Sequence, residues 1–131
     1  MDERVRALAH RLGLANRIEL RGPADESELP EIFAQAACLV LPSRVEGFGL
    51  PAVEALRARL PLAIADVPAL VEATPPDTPR FDPEDPAGCA AAVRTALARS
   101  DAELDAGAAH AQRYSWDASA ARWVALFREL S

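Results

Sequence analysis

The chain has 131 residues with 14 Arg, no Lys and 20 acidic side chains, so its net charge is −6 with both His neutral. So acidic a chain lacks the basic footprint that drives binding to nucleic acid. Its longest apolar run, Ala36 to Leu41, falls far short of the roughly 18 residues of a membrane span, and Met1-Asp2-Glu3-Arg4 is not a signal-peptide start. The length suits one domain, cytosolic in expectation, and with 29 Ala its core is lean. Cys38 and Cys89 have neither metal-ligand spacing nor the density of a disulfide scaffold, and read as reduced core thiols.

Helical periods alternate with short apolar runs bounded by Gly, Pro and Asp, the pattern of βα units on a parallel sheet. Val5, Leu8, Ala9 and Leu12 share one helix face, and Gly13 is a stop signal. Ile18 to Leu20 reads as a strand ending at Gly22-Pro23. Ser27 caps a helix running through Ala37, and Cys38 to Leu41 is the next buried strand, stopped by Pro42-Ser43. After a loop from Arg44 to Leu50, Pro51 suits the first position of a helix that runs to about Arg59. Leu62 to Ala65 is the third strand, Pro68 to Ala73 a short helix, Pro75-Pro76-Asp77 a turn and Arg80 to Asp82 a short last strand. Asp85-Pro86 opens an Ala-rich helix to about Arg99, a second helix spans Ala102 to Tyr114, and Ser115 caps a third. The last presents Trp116, Ala120, Trp123, Phe127 and Leu130 on one face, expected to pack on the core.

The stretch with chemistry in it is Pro42-Ser43-Arg44-Val45-Glu46-Gly47-Phe48-Gly49-Leu50-Pro51-Ala52-Val53-Glu54. It leaves the carboxyl end of a buried strand, the edge where open α/β sheets bind ligands, and runs into a helix. Gly47 and Gly49 let the backbone approach a ligand closely, and free amides at a helix start favour an anion such as a phosphate. Glu46 and Glu54 stand eight positions apart across the loop. Acceptor-only carboxylates suit vicinal hydroxyls, so a phosphate between two diols describes a nucleotide sugar. The plainer readings are a solvated loop charge for Glu46 and a helix-dipole partner for Glu54. Asp82-Pro83-Glu84-Asp85 is explained by a strand end and a helix cap rather than a metal, and His10 and His110 read as surface residues. Ser43 lacks the Gly-x-Ser-x-Gly turn of a hydrolase.

Pro42-Ser43, then Glu46-Gly47-Phe48-Gly49-Leu50-Pro51, then a second Glu after seven residues resembles the Glu-x(7)-Glu element of the retaining GT-B glycosyltransferases of family 4, the glycosyl transferases group 1. Ile18 to Gly22, Glu28-Leu29-Pro30, Ala36 to Ser43, Pro61 to Asp66, Phe81-Asp82-Pro83 and Tyr114-Ser115-Trp116 are similar to the flanking segments, so the resemblance covers nearly the whole chain. It implies a Rossmann-like three-layer α/β domain with a mostly parallel sheet of about four strands, an incomplete half of a GT-B fold in which residues 1–131 form part of the carboxyl-terminal, nucleotide-sugar-binding domain. It further implies that Glu46 is the catalytic residue, hydrogen-bonding the donor sugar's hydroxyls near the anomeric carbon. Glu54 would hold the ribose hydroxyls, and the amides of Gly47, Phe48, Gly49 and Leu50, with Ser43, would meet the sugar and diphosphate. Such enzymes use no metal or other cofactor, keep the anomeric configuration and hold the acceptor in a separate amino-terminal domain. The implied setting is polysaccharide or glycolipid biosynthesis, in the cytoplasm or peripheral at a membrane.

Against the family's pattern the chain begins at what would be the second helix of the donor domain, without the first two strands and their Gly-Arg and Lys-Gly segments. Arg44 and Arg21 are only remote stand-ins for those cations. In a 3-2-1-4-5-6 sheet those strands are central. The Ile18 strand should then pair with the Cys38 strand, or leave strand edges that invite a second chain or the missing domain. Two further departures are Arg57-Ala58-Arg59-Leu60, where the family has a small residue and a Gly, and Val67-Pro68, where it often has glycines. The alternatives are a non-catalytic remnant or association module, and another GT-B type such as a nucleotide-sugar epimerase or a glycogen synthase relative.

Overall fold

Leu62-Ala63-Ile64-Ala65 has no polar side chain to place in water. In the computed structural model, which describes residues 2–130, it is the central strand of a three-stranded parallel sheet. This strand, β2 (Leu62–Ala65), is flanked by β1 (Leu39–Leu41) and β3 (Arg80–Phe81). Leu39, Val40 and Leu41 pair with Leu62, Ala63 and Ile64; Ile64 and Ala65 pair with Arg80 and Phe81. All four β2 residues are buried, as a strand covered on both faces requires, and β1 is half-buried throughout. Helices α3 (Leu50–Arg57) and α4 (Pro68–Ala73) make the crossovers, and α5 (Pro86–Leu97), α6 (Asp101–Ala111) and α7 (Trp116–Glu129) follow. Before the sheet come α1 (Asp2–Arg11), one 3-10 turn at Ala15–Arg17 and α2 (Leu29–Gln35). No helix among the described residues is long and apolar enough to cross a membrane.

The chain divides into two compact units, residues 1–30 and 31–131. In the first, Gly13 ends α1 as its position predicts, with φ +69° and a closing pair of bonds, Gly13 N–H to His10 C=O and Leu14 N–H to Ala9 C=O. Ile18 has extended backbone, but residues 18–20 join no sheet, which corrects the expected strand and reduces four strands to three. An extended segment becomes a strand only when a neighbour takes its N–H and C=O groups, and none does so here. The outer edge of β1 is likewise without a strand among the described residues.

In the second unit α3 packs on β1 and β2, α5 on β2 and β3, and α6 on α3. Half of the buried cluster among the described residues is Ala, at positions 52, 55, 63, 65, 73, 92, 96 and 111, and small side chains let these layers approach closely. A Cβ on Gly107 of α6 would stand 3.0 Å from Leu56 Cδ2, so α6 lies tight on α3. α3 ends in a Schellman motif, with Leu60 N–H to Ala55 C=O and Arg59 N–H to Leu56 C=O. Its left-handed position is filled by Arg59 at φ +56°, where glycine is the usual occupant.

Ser115 caps α7 by accepting from the Ala118 N–H at 3.0 Å, as expected, but α7 buries none of its residues. Trp116, Trp123, Phe127 and Leu130, expected against the core, are 83%, 60%, 60% and 76% exposed. The spacing makes one apolar face, and the fold leaves it largely exposed. Cys38 and Cys89 are free and half-buried against the core cluster, and burial pushes the Cys38 thiol up.

Candidate functional site

The loop between β1 and α3 starts where Pro42 ends the strand. Ser43 Oγ donates to Glu46 Oε1 at 2.6 Å, a short bond of the kind a carboxylate acceptor makes. Both residues are half-buried, so Glu46 is held with one oxygen engaged and the other uncommitted. Between them Arg44 turns away: its guanidinium makes a two-point pair with Glu84 beyond β3, Nε–Oε1 2.7 Å and Nη2–Oε2 3.0 Å. That pair pins the loop across the carboxyl edge of the sheet and spends the loop's cation on a protein carboxylate. Arg21 pairs with Glu19 at 2.8 Å within the first unit.

The two glycines of the motif differ in what they permit. Gly49 has φ +85° and is buried as the cap of α3, and a Cβ there would stand 2.6 Å from Leu70 Cδ2 of α4. Gly47 has no left-handed backbone, and a Cβ on it would meet nothing within 4 Å. One glycine is demanded by the fold; the other faces open space.

At the start of α3, Pro51 has no amide, and the Ala52 N–H returns to the Gly49 C=O at 2.9 Å. Among the described residues the N–H groups of Gly47, Phe48, Gly49 and Leu50 donate to no protein acceptor. Four consecutive unpaired amides leading into a helix start, with the helix dipole behind them, leave backbone donors available to an anion. The helix buries Ala52, Val53, Ala55 and Leu56, which leaves Glu54 on its uncovered side. The Glu54 carboxylate makes no hydrogen bond or ion pair among the described residues.

Phe48 is 42% exposed and sets its ring edge-on against Tyr114, centroids 5.2 Å apart at 85°. This contact spans 66 positions, and nothing local in the sequence announces it. Ser43 to Glu46, by contrast, is a three-residue reach that a turn reading could have found. In the acidic stretch after β3, Asp82 accepts from the Glu84 N–H at 2.8 Å and Asp85 from the Ala87 N–H at 2.9 Å, so both act as the turn and cap groups expected. His10 lies exposed on α1. His110 corrects its surface reading: it is half-buried on α6, its Nε2 has no partner, and burial followed by the Arg113 charge lowers its pKa.

Comparison with known proteins gives the family. The D-inositol 3-phosphate glycosyltransferase of Streptomyces coelicolor is 38% identical over 124 residues, covering 91% of this chain and 27% of that protein. The protein of the same name from Thermobispora bispora is 37% identical over 127 residues, 93% of this chain and 30% of its own. The solved structure of sucrose-phosphate synthase from Thermosynechococcus elongatus superposes with a TM-score of 0.82 at 27% identity, over 98% of this chain and 34% of that one. The chain thus spans between about a quarter and a third of the relatives it matches. Residues 1–113 match the sequence model of the family described as glycosyl transferases group 1. With that match, the parallel sheet and the likeness to a Rossmann-like GT-B half, the chain belongs to the glycosyl transferases group 1.

Proposed function

We propose that this chain supplies the donor-binding part of a glycosyltransferase that moves a sugar from a nucleoside-diphosphate sugar to an acceptor with retention of configuration. The observation that carries the reading is the run of four unpaired amides at Gly47 to Leu50, bracketed by two carboxylates with acceptor capacity to spare. The amides would receive the diphosphate. As the bond from the anomeric carbon to the phosphate oxygen breaks, the electron pair leaves with the diphosphate, and donors already in place meet that charge without reorganising. Glu46, fixed through Oε1 by Ser43, would accept from the sugar's hydroxyls near the reacting carbon. Glu54, free on the outer side of α3, would take both ribose hydroxyls. Ser43 would act chiefly by orienting Glu46, since its own proton is already committed. No metal has a role in this scheme, because amides rather than a cation carry the diphosphate.

The matched relatives are named for glycosylating an inositol phosphate and for making sucrose phosphate. A phosphorylated polyhydroxyl compound is therefore the acceptor class we favour over the polysaccharide or glycolipid setting. A second reading has its own observation: β1 is an edge strand with free backbone groups, so the chain could require another chain or domain beside β1 before it turns over sugar.

The test is the melting temperature of the chain with UDP, GDP, ADP and their sugars, alongside Glu54→Ala. A nucleotide at 100 times its Kd stabilises the fold by about 2.7 kcal/mol. A shift with one base, lost in the Glu54 variant, supports the donor site and names the donor. No shift with any nucleotide, from a chain that melts cooperatively, would overturn it in favour of the association module.

A further inference from the structure

Tyr114 lies in the corner between α6 and α7, outside the motif, yet three parts of the candidate site converge on it. Its ring takes the edge contact with Phe48 of the loop. Its carbonyl accepts from Arg57 Nη2, in the last turn of the helix that bears Glu54. Its hydroxyl donates to the Glu72 C=O at 2.9 Å, a carbonyl in the last turn of α4 with no partner of its own in the helix. Arg113 secures the ring from outside: its Nη2 donates to the Tyr114 hydroxyl at 2.6 Å and to the Glu72 C=O at 3.1 Å, with its guanidinium 4.8 Å from the ring centroid. The hydroxyl of the side chain is thus used, and the ring cannot swing away from Phe48 without breaking its bond to α4.

The three residues Tyr114-Ser115-Trp116 do three different things. Trp116 is 83% exposed, Ser115 caps α7, and only Tyr114 reaches back to the loop. Among the described residues Phe48 has no other ring beside it, and its amide is one of the four left unpaired. A loop whose amides have no protein acceptors gains no order from its own backbone donors. Its order comes from its two ends and its side chains: Ser43 on Glu46 and Arg44 on Glu84 at one end, the Gly49 cap of α3 at the other, and Phe48 on Tyr114 between them.

We infer that Tyr114 is a positioning residue for the donor loop: anchored to α4 and α3, it seats Phe48 so that the amides of Gly47 to Leu50 stay pointed at one anion. The inference rests on the reading that this loop receives the diphosphate. It makes the α6–α7 corner part of the site and predicts that a residue so far along the chain bears on nucleotide affinity.

The experiment joins two measurements on the chain carrying Tyr114→Leu, Tyr114→Phe, Phe48→Leu and the Phe48→Leu/Tyr114→Leu pair. The first is 15N relaxation of the amides of Gly47 to Leu50 without nucleotide. Order parameters should fall from near 0.85, typical of rigid backbone, to below about 0.6 in Tyr114→Leu and Phe48→Leu, and by less in Tyr114→Phe, which keeps the ring but loses the hydroxyl's bond to Glu72. The second is the Kd for whichever nucleoside diphosphate stabilises the parent chain. Tyr114→Leu should weaken it about tenfold, the scale of an aromatic pair's coupling, and add nothing further once Phe48 is Leu. A tyrosine that only stiffens the corner would show additive losses and an unchanged loop, and that result overturns the inference. A loop that loosens as expected in a chain that binds no nucleoside diphosphate would leave the positioning role standing and sink the donor-site reading. Should Tyr114→Leu fail to fold, Phe48→Leu removes the same contact from the exposed side, and a rigid loop in that variant overturns the inference equally.

Discussion

α3 and α7 begin alike and end differently. Each starts at a residue suited to a helix end, Gly49 without a capping bond in one case and Ser115 accepting from the Ala118 N–H in the other, and each carries an apolar stripe at helical spacing. α3 buries four side chains against the sheet and α6; α7, nearly twice as long at 14 residues, buries none. Caps and Ala-rich composition are enough to start and sustain a helix. Burial needs a neighbour of matching shape, and the apolar stripe of a helix does not say whether that neighbour is there.

The sharpest way to break this comparison is the same substitution on both helices. Leu56→Ala on α3 removes a side chain 8% exposed and should cost about 2–4 kcal/mol in chemical denaturation. Leu126→Ala on α7, at 43% exposure, should cost less than about 1 kcal/mol. Equal losses would mean that α7 is covered in solution and that the two helices are alike after all.

The contrast continues within the loop that feeds α3. Gly49→Ala meets both the left-handed backbone and the Leu70 side chain, and should cost about 2–3 kcal/mol. Gly47→Ala meets neither and should change stability by less than about 0.5 kcal/mol while weakening nucleotide binding, since its methyl would stand where a ligand approaches. If Gly47→Ala destabilises the fold and spares binding, the division between a structural and a ligand-facing glycine is wrong.

The smallest effect concerns α6. His110 is held below its ordinary pKa of 6.5 by burial and by Arg113, against the opposing pull of the Ala73 carbonyl and Asp77. The unfolded chain therefore takes up this proton first, and stability present above pH 6.5 is lost as the pH falls from there through the folded value. Melting temperatures between pH 7 and 5 should decline less steeply in His110→Gln. A steeper or identical decline would remove His110 from the acid response.

Local chemistry was legible wherever one or two residues decide the outcome. Gly13 stops α1 because the left-handed position there wants no Cβ, Pro51 stands in the first turn of α3, Asp85 and Ser115 cap, and the Glu46–Glu54 spacing marks the loop. The readings that failed each needed a partner from elsewhere. Among the described residues, 18–20 look like a strand but join no sheet, α7 buries none of its residues, and His110 is half-buried beside Ala73 and Tyr114, which its own helix does not show.

The pattern of residues 42–54 was therefore enough to name the family and mark the loop and its two carboxylates, because that chemistry is short-range and written in adjacent positions. Only the tertiary structure could decide that Arg44 is taken by Glu84 and that Tyr114 stands under Phe48. Those contacts depend on where the elements meet around the sheet, and the distance between two side chains 40 or 66 positions apart is set by the packing of everything between them.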